Sequence, residues 1–515
     1  MVTGLLLGVD LGTSGARALL VDAKGGVAGR GTAEYPTFHP MPGQSEQDPD
    51  AWWEAIARAV REAVGEAGPA HAVDAMAVSG QMHGTVLLGP DRQPLGPAII
   101  WADQRAHEDA ARISAAVGEP RMLDMIGGPL AAGFQAATIG WLRRAHPETW
   151  EGVRRVLLPK DEVRLRLTGE VATDPSDASG TGLFDQRSRG WSRRILDAVG
   201  IDASFLAPVI PSAARAGVLS LGAAEALGLR PGIPVATGAG DTASALLGAG
   251  VTAPDSVLLA IGTGGQVAAP MTRMRVDPAG RTHALCTAIE PERGAAWYQL
   301  AATLSAGMSL RWLRDAVLAP GEGVDYDDMA GWAARVPPGA GGLLFLPYLV
   351  GERTPHMDPL ARGAFLGLTA AHGRGHLVRA VLEGVTFALA DAHRVLASAG
   401  AGEGSLVFAG GGARSPLWRQ IVADVFGVRV AVHGGDVPSA LGAALLAGEA
   451  AEWFDAAEAS RSWAGAAETV EPDAERRATY EEIAELWRAA YRNNRAAFVR
   501  LAAIDAASAT GAAGD

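Results

Sequence analysis

Residues 5–15 read LLLGVDLGTSG, and the predicted architecture of the chain follows from this segment. The apolar run Leu5–Val9 ends at Asp10, the chain turns through Gly12–Gly15, and a second apolar run follows at Ala18–Val21. Two apolar runs joined by a glycine-containing turn are typical of two strands and a tight turn. We therefore predict that the chain opens with a strand, a turn and a second strand, with a carboxylate beside the turn.

The same pattern occurs again in the second half of the chain. Val257–Ile261 form an apolar run, Gly262–Gly265 form a Gly-Thr-x-Gly turn, and Val267–Ala269 resume the apolar pattern. The second copy lacks the acid, since Ile261 or Gly262 occupies the corresponding position. The repetition predicts two similar halves, and the alternative is a chance recurrence of a short pattern.

A second pair of segments supports the duplication. Ala75–Val78 lead into Ser79–Gly84, and Leu406–Ala409 lead into Gly410–Arg414. Apolar residues at helical spacing lie between the predicted strands, in Asp50–Val60, Leu377–Gly384 and Trp418–Val425. Alternating strands and helices are typical of α/β layers. We predict two duplicated α/β domains whose glycine turns line an interdomain cleft.

Length and composition exclude several other classes. A chain of 515 residues exceeds the usual single domain, and we predict domains at 1–245 and 246–490, followed by a helix end and disordered tail at 491–515. The net charge of −13 argues against nucleic-acid binding and against docking on anionic lipid. The single cysteine, Cys286, excludes an internal disulfide framework. Without a recognisable leader or a long apolar segment, we expect a cytoplasmic protein.

Glycine turns that follow strands expose backbone N–H groups that can bind phosphate. The lysine-based loop G-x-x-x-x-G-K-[ST] is absent, and lysine occurs only at Lys24 and Lys160. The negative charge of a bound nucleotide would therefore be neutralised by backbone amides, a metal ion and Arg17. Asp10 could hold Mg²⁺ directly or through water. The alternative for Asp10 is a turn aspartate that accepts hydrogen bonds from its own loop.

Asp241 follows Gly238 and Gly240 and opens the helix-like segment Thr242–Leu247. Phosphoryl transfer to an alcohol needs a carboxylate within reach of the attacking hydroxyl, so Asp241 is a candidate general base. The alternative is a helix N-cap, and the two interpretations are compatible. The segment also matches a loose G-x-G-x-x-A pattern, which occurs in dinucleotide-binding folds.

The segment Gln81–Gly84 reads QMHG and lies at the end of a predicted strand. A lone histidine is more often structural than functional. Here Met82 offers an apolar surface for a carbon chain, and His83 offers a donor or acceptor for hydroxyls. The nearby Trp101–Arg105 adds polar groups suited to a polyol, and its alternative role is an Asp103–Arg105 pair that fixes the loop.

Together these segments resemble the FGGY family of carbohydrate kinases, most closely its D-xylulose kinases, over nearly the whole chain. The segments that carry the resemblance are Gly8–Gly15, Ser45–Pro49, Gly80–Gly84, Leu158–Asp161, Asp174–Thr181, Gly240–Asp241, Tyr348–His356, Gly410–Ser415 and Gly434–Val437, and Gly363–Leu368 with Leu377–Glu383 resemble the second family signature. Gly80–Gly84 is the most substrate-specific of them and is unlike the corresponding loop of glycerol kinases.

The resemblance implies an actin-like, ribonuclease-H-type fold and ATP-dependent phosphorylation of D-xylulose at O5. It implies Asp241 as the proton acceptor and Asp10 as the acid near Mg²⁺. It implies Met82 and His83 as the sugar-binding pair, with Gln81 and Asp103 beside them. The residues expected along the nucleotide are Thr13, Ser14, Arg17, Gly262 and Thr263 at the phosphates and Gly411, Gly412 and Ala413 at the adenosine.

Three positions depart from the family pattern. Thr138 stands where the first signature usually has lysine, Arg17 where many relatives have lysine, and Gly264 where serine is usual. The nearest alternative function is a sibling kinase for another ketose or polyol, such as ribulose, fuculose or a sugar alcohol. An actin-superfamily ATPase without a sugar substrate and a dehydrogenase are more distant alternatives. The expected partner is a small sugar rather than nucleic acid or membrane, and the family suggests a homodimer.

Overall fold

The computed structural model describes residues 4–68, 73–318, 323–434, 437–463 and 468–511. The β-strands, in chain order, are β1 (Leu5–Leu11), β2 (Gly15–Val21), β3 (Val27–Glu34), β4 (Glu46–Gln47), β5 (Val73–Gly80), β6 (Val86–Leu88), β7 (Ala98–Ile99), β8 (Arg155–Leu157), β9 (Phe184–Asp185), β10 (Gly190–Trp191), β11 (Arg215–Val218), β12 (Pro234–Ala236), β13 (Ala239–Gly240), β14 (Ser256–Ile261), β15 (Gly265–Met271), β16 (His283–Cys286), β17 (Trp297–Thr303), β18 (Leu344–Leu346), β19 (Ala364–Leu366), β20 (Ser405–Ala409), β21 (Val430–Val432) and β22 (Glu468–Val470).

The helices alternate with these strands, as the sequence pattern predicts. In chain order they are α1 (Pro49–Ala67), α2 (His107–Val117), α3 (Glu119–Ile126), α4 (Gln135–Ala145), α5 (Pro147–Gly152), α6 (Pro159–Thr168), α7 (Pro175–Ala178), α8 (Arg193–Val199), α9 (Leu221–Leu227), α10 (Asp241–Gly248), α11 (Gly307–Trp312), α12 (Tyr326–Ala334), α13 (Arg374–Ser398), α14 (Pro416–Phe426), α15 (Pro438–Ala450), α16 (Ala456–Trp463) and α17 (Ala474–Gly511).

The chain divides into two compact units, and each is made of more than one segment. Unit 1 contains residues 1–254, 270–299 and 437–465, and unit 2 contains 255–269, 300–436 and 466–515. The segment 437–463, which carries α15 and α16, therefore belongs with the first half of the chain. The division of the sequence at residue 245 stays a prediction.

The main sheet of unit 1 has the strand order β11–β12–β5–β1–β2–β3. The hairpin strands β1 and β2 are antiparallel, while β1 and β5 are parallel. Helix α1 packs against β2 and β3, and α15 packs against β1 and β5. Trp52, Ile56 and Val60 of α1 are fully buried in this core, because apolar residues at a spacing of four lie on one helix face.

The main sheet of unit 2 repeats this arrangement. Its strands run in the order β17–β15–β14–β20–β21–β22. Strands β14 and β15 are antiparallel, while β14, β20 and β21 are parallel. The hairpin strands β1 and β2 of unit 1 correspond to β14 and β15 of unit 2. Beside β2, strand β3 corresponds to β17. Beside β1, strands β5 and β12 correspond to β20 and β21. The predicted fold of two duplicated, actin-like α/β domains is confirmed.

The two hairpins can be aligned residue by residue through their parallel neighbours. Asp10 on β1 is in register with Ser79, the residue before the glycine that ends β5. Ala260 on β14 is in register with Ala409, the residue before Gly410. Ala260 is therefore the counterpart of Asp10.

The prediction that Ile261 or Gly262 occupies this position is wrong, because the register with β20 places Ala260 there. The second turn also differs in being shorter by one residue. In unit 1 the Gly12 N–H donates to the carbonyl of Gly15, three residues on. In unit 2 the Gly262 N–H donates to the carbonyl of Gly264, two residues on. The absence of an acid from the second copy is unaffected by the shift.

Two predicted features fall partly outside the described residues. Positions 435 and 436 of the Gly434–Val437 motif lie outside them, and so does 512–515 of the predicted tail. Helix α17 continues to Gly511. Among the residues that the structure describes, no helix has both the length and the apolar character to cross a bilayer.

Candidate active site

Three strands of unit 1 end side by side and bring the predicted catalytic residues to one edge of the sheet. Asp10 on β1 is in register with Ser79 on β5, and Ala239 of β13 is in register with the same serine. Because these strands are parallel, their carboxyl ends share one edge. Asp241 directly follows β13, so it lies at the same edge as Asp10.

Asp10 is a buried carboxylate with incomplete hydrogen bonding. Its side chain is 4% exposed, and Arg17 Nη1 lies 3.7 Å from Oδ2. Its Oδ1 oxygen is buried and accepts no hydrogen bond among the described residues. Burial raises the pKa of Asp10, while the charge of Arg17 and the nearby hydroxyls of Ser439 and Ser79 oppose this shift. An anionic Asp10 would be stabilised by a cation at the unsatisfied oxygen.

Asp241 is the first residue of α10, whose N-cap is Gly240. Its Oδ1 accepts hydrogen bonds from the backbone N–H of Thr242 at 2.6 Å and from the Thr242 hydroxyl at 3.2 Å. Burial and the negative charge of Asp10 raise the pKa of Asp241 to about 7, against the effect of the Thr242 donors. A carboxylate with this pKa is poised to accept a proton at neutral pH.

Met82 lies against the segment that carries Asp241. A β-carbon at Gly240 would be only 2.9 Å from Met82 Cγ, so the side chain packs directly on that glycine. The hydroxyl of Tyr298 lies 3.7 Å from Met82 Sδ. Tyr298 is fully buried, and the charge of Asp241 adds to burial in raising its pKa.

His83 is held in a defined orientation beside Met82. Its Nδ1 is 2.6 Å from the carbonyl of Gly180, so Nδ1–H donates to that oxygen. The ring stacks on Phe134 with centroids 4.3 Å apart. His83 has a φ of 74°, a left-handed conformation that costs energy for a residue other than glycine and clusters at functional sites.

Gln81 and Thr13 belong to one polar network. Gln81 Nε2 donates to Gln47 Oε1 at 2.7 Å, and Gln47 Nε2 donates to the carbonyl of Thr13 at 2.7 Å. Trp101 Nε1 donates to the hydroxyl of Thr13 at 3.0 Å. The predicted sugar loop and the first turn are thereby connected, while Ser14 at the tip of the turn is exposed.

Asp103 is occupied by contacts within its own loop. Its Oδ2 accepts from the Ser45 N–H at 2.7 Å, and Arg105 Nε lies 2.9 Å from both carboxylate oxygens. Arg105 also forms an ion pair with Glu46 at 2.7 Å. These contacts are those of the loop-fixing alternative, and a direct role of Asp103 in sugar binding stays a prediction.

In unit 2 the turn after β14 is supported by the chain that follows β17. The carbonyl of Thr263 accepts from the N–H groups of Ala306 and Met308 at 3.0 Å, and the carbonyl of Gly262 accepts from Gly307 N–H at 2.9 Å. Gly262 and Thr263 are exposed. The Gly262 N–H donates to the carbonyl of Gly264, so the exposed backbone at Thr263 is the part of this turn suited to binding phosphate.

Gly411–Ala413 lie beside that turn. A β-carbon at Gly412 would be 2.7 Å from Ile261 Cβ, so the segment packs against the end of β14. Gly411 is exposed, whereas Gly412 and Ala413 are buried. Unit 2 therefore brings together its five predicted nucleotide residues, which are Gly262, Thr263, Gly411, Gly412 and Ala413.

Sequence reasoning missed three contributors in unit 1. Tyr298 and Phe134 contact the Met82–His83 pair, and neither has a local signal because their partners are distant in sequence. Lys160, one of only two lysines in the chain, is completely buried among Asp161, Asp174 and Asp177. The rarity of lysine in the chain and the adjacent Asp161 were the sequence signals that could have identified this residue.

The described residues fit a magnesium ion that has few protein ligands. They contain no group of three or more His, Cys, Asp or Glu side chains that could hold a metal. Mg²⁺ commonly keeps several waters and binds one or two carboxylates plus substrate phosphates. The unsatisfied, buried Oδ1 of Asp10 provides such a carboxylate.

Comparison with known proteins places the chain in a family. The models of the FGGY family of carbohydrate kinases match residues 5–248 (N-terminal domain) and 257–451 (C-terminal domain). Xylulose kinase of Escherichia coli K12 is 37% identical over 496 residues, which cover 95% of this chain and 98% of that protein. Gluconokinase of Bacillus subtilis is 30% identical over 453 residues, covering 86% and 87%.

Solved structures agree with this placement. The crystal structure of xylulose kinase from Rhodospirillum rubrum superimposes with a TM-score of 0.84 at 29% identity, covering 96% of this chain and 99% of that chain. The family models for both halves of the sequence, the strand order of both sheets and these similarities all indicate the same family. The chain belongs to the FGGY family of carbohydrate kinases.

Proposed function

We propose that this carbohydrate kinase transfers the γ-phosphoryl group of ATP to O5 of D-xylulose and forms D-xylulose 5-phosphate. The observation that carries the proposal is the position of Asp241. Its carboxylate, with a pKa of about 7, lies at the sheet edge that holds Asp10, and it directly follows the glycine on which Met82 packs. The similarity to xylulose kinases supports the choice of sugar.

In this reaction Asp241 is the general base. Its carboxylate accepts the proton of the O5 hydroxyl while the bond from O5 to the γ-phosphorus forms and the bond from that phosphorus to the β-γ bridging oxygen breaks, which releases ADP. At pH values above 7 most of the carboxylate is deprotonated and able to accept the proton.

The sugar is held by the loop that follows β5. Met82 supplies an apolar surface, and the ring of His83, oriented by the hydrogen bond from Nδ1–H to the carbonyl of Gly180, binds a sugar hydroxyl. Gln81, through its network to Thr13, and Asp103 orient the surrounding loops.

The residues proposed for the nucleotide phosphates are Thr13, Ser14 and Arg17 in unit 1 and Gly262 and Thr263 in unit 2. Gly411–Ala413 bind the adenosine. Asp10 would hold Mg²⁺, directly or through water, and the ion would neutralise charge on the phosphate oxygens.

The substrate is tested by a coupled ADP-release assay over D-xylulose, D-ribulose, L-ribulose, xylitol and gluconate. We expect kcat/KM for D-xylulose to exceed that for each other compound by at least about tenfold, a difference of ~1.4 kcal/mol. Phosphorus NMR of the product should show the phosphate on O5. A preference for gluconate or another sugar would keep the family assignment and reject D-xylulose.

The base is tested by Asp241→Asn. Asparagine retains an oxygen that can accept from the Thr242 N–H, but it cannot take up a proton. We expect kcat to fall by about 10³-fold with the KM for ATP changed by less than about threefold. Asp48→Asn is the control, because Asp48 accepts from the backbone of Asp50 at the start of α1. Near-normal turnover of Asp241→Asn would reject the base.

A further inference from the structure

We infer that Ser176 is a positioning residue for the catalytic base, through its hydrogen bond to the backbone immediately before Asp241. The inference rests on the proposed function, in which Asp241 accepts the sugar proton. Ser176 contacts neither the sugar nor the nucleotide in that proposal. It acts by fixing where the first turn of α10 begins.

The hydroxyl of Ser176 acts both as a hydrogen-bond donor and as an acceptor. It donates to Asp174 Oδ2, and its oxygen accepts from the backbone N–H of Gly240 at 3.0 Å. Because the single proton is committed to Asp174, the oxygen lone pair is the part directed at Gly240. Gly240 is the N-cap of α10 and Asp241 is its first residue, so this bond sets the backbone from which the carboxylate projects.

Asp174 holds that hydroxyl in a fixed position. It is completely buried. Its Oδ2 accepts from the Ser176 N–H at 2.9 Å and from the hydroxyl of Ser212 at 2.7 Å, in addition to the Ser176 hydroxyl. A carboxylate with this many donors has a strong preference for one orientation, because its hydrogen bonds are charge-assisted and shielded from water.

A buried lysine fixes the other side of Asp174. Lys160 Nζ lies 3.0 Å from Asp174 Oδ1, 2.6 Å from Asp161 Oδ1 and 3.5 Å from Asp177 Oδ2. Burial alone would lower the pKa of Lys160, but the carboxylates of Asp161, Asp174 and Asp177 raise it above its usual value. The lysine is therefore a permanent cation, and moving Asp174 away from it would leave a buried charge without its partner.

The chain of contacts thus runs from Lys160 through Asp174 and Ser176 to Gly240, and every link lies within unit 1. Met82 packs on Gly240 from another side. A displacement of Gly240 would therefore move the base relative to the sugar surface. Displacements below 1 Å at a reacting centre can cost an enzyme a large part of its rate.

The test compares Ser176→Ala with Ser212→Ala. Each variant removes one buried hydroxyl that donates to the same oxygen of Asp174, but only Ser176 also accepts from Gly240. We expect Ser176→Ala to lower kcat by about 10- to 30-fold with the KM for ATP unchanged within about twofold. Ser212→Ala should keep kcat within about threefold of the parent. Thermal unfolding should show both variants folded, with the larger stability loss in Ser176→Ala because it also removes the acceptor of the Gly240 N–H.

Equal turnover in the two alanine variants would overturn the inference, and so would a loss in Ser176→Ala confined to the KM for ATP. If Ser176→Ala does not fold, Ser176→Thr and Ser176→Val replace it as a pair of nearly equal shape. Threonine retains the hydroxyl, so a higher kcat for Ser176→Thr supports the inference and equal values contradict it. Asp241→Asn separates the two proposals, since its near-normal activity rejects the base itself whatever the serine variants show.

Discussion

The turn between β1 and β2 and the turn between β14 and β15 are built on the same sheet order but carry different chemistry. The first has a buried carboxylate, Asp10, with an unsatisfied oxygen, and a cation, Arg17, opposite it. The second has Ala260 at the corresponding position. It therefore offers peptide groups and the Thr263 hydroxyl.

The difference shows that a duplicated scaffold can carry a carboxylate beside the turn in one copy and none in the other. The two carboxylates proposed to handle the proton and the metal ion, Asp241 and Asp10, share one sheet edge of unit 1. Unit 2 has a backbone surface supported by loop hydrogen bonds, and Arg311 Nη2 donates to the Thr263 hydroxyl at 3.1 Å, but no carboxylate stands at the position of Asp10. Phosphate binding by amides needs no side-chain charge, so the second copy can function without an acid.

Of the changes to the two turns, making the first resemble the second should have the largest effect. We expect Asp10→Ala to lower kcat by about 10²- to 10³-fold, because the carboxylate proposed to hold Mg²⁺ is lost. A magnesium titration of residual activity should show a higher half-saturating concentration than in the parent. An unchanged magnesium dependence would remove Asp10 from that role.

The converse change, Ala260→Asp, places a carboxylate beside the second turn. It should raise the KM for ATP by about tenfold through repulsion of the phosphates, and it should not restore activity to Asp10→Ala. Restored activity in the double variant would show that the two turns are interchangeable, contrary to the comparison.

The pH profile gives a second measure of the charged turn. Asp241 must be deprotonated to act, and its pKa is about 7, so kcat/KM should fall about tenfold per unit as the pH drops below 7. Asp10 raises this pKa, so in Asp10→Asn the acid limb of the residual activity should move to lower pH. Asp22→Asn, in an exposed turn after β2, is the control. An acid limb that stays in place in Asp10→Asn would contradict the coupling.

The turn between β14 and β15 can be probed through its glycines. A β-carbon at Gly264 would lie 2.8 Å from the carbonyl oxygen of Thr303, whereas one at Gly262 would meet nothing closer than 3.9 Å. We expect Gly264→Ala to raise the KM for ATP by about three- to tenfold and Gly262→Ala to change it less. The reverse order would show that the shape of the turn does not depend on this close approach.

The smallest expected effect concerns stability. The pKa of Asp241 is raised to about 7 in the folded state, against about 3.9 in an unfolded chain, so the charged side chain destabilises the fold above pH 7. Asp241→Asn should therefore raise the unfolding temperature by about 1–3 °C at pH 8. The difference should shrink as the pH falls from 7 towards 4. A variant less stable than the parent at pH 8 would contradict this sign.

Local patterns predicted the two hairpins and the alternating strands and helices, while the resemblance to the family supplied the actin-like fold and the expected site residues. The strand–turn–strand segments at Leu5–Val21 and Val257–Ala269 are hairpins, and Asp10 and Asp241 share one sheet edge. Apolar periodicity and glycine turns depend on residues that are close together in the chain, so they can be recognised from the sequence alone. The departure at Gly264 also has a physical reason, since a serine side chain there would meet the Thr303 carbonyl.

Contacts between distant segments could not be predicted in the same way. The bond between Ser176 and Gly240 joins residues 64 apart, and the stacking of Phe134 on His83 depends on packing that no local pattern encodes. The shorter loop of the second hairpin required strand register, because the two Gly-Thr-x-Gly turns have the same spacing in the sequence.

Helix α15 lies late in the chain, yet it packs against β1 and α10. A β-carbon at Gly8 would be 1.9 Å from the carbonyl oxygen of Ala440, and one at Gly442 would be 1.9 Å from that of Ser244. These close backbone contacts cannot form while the ribosome is still making the middle of the chain. Unit 1 therefore becomes complete only after most of unit 2 has been synthesised. Strands β1 and β2 are synthesised long before α15, the helix that packs on them.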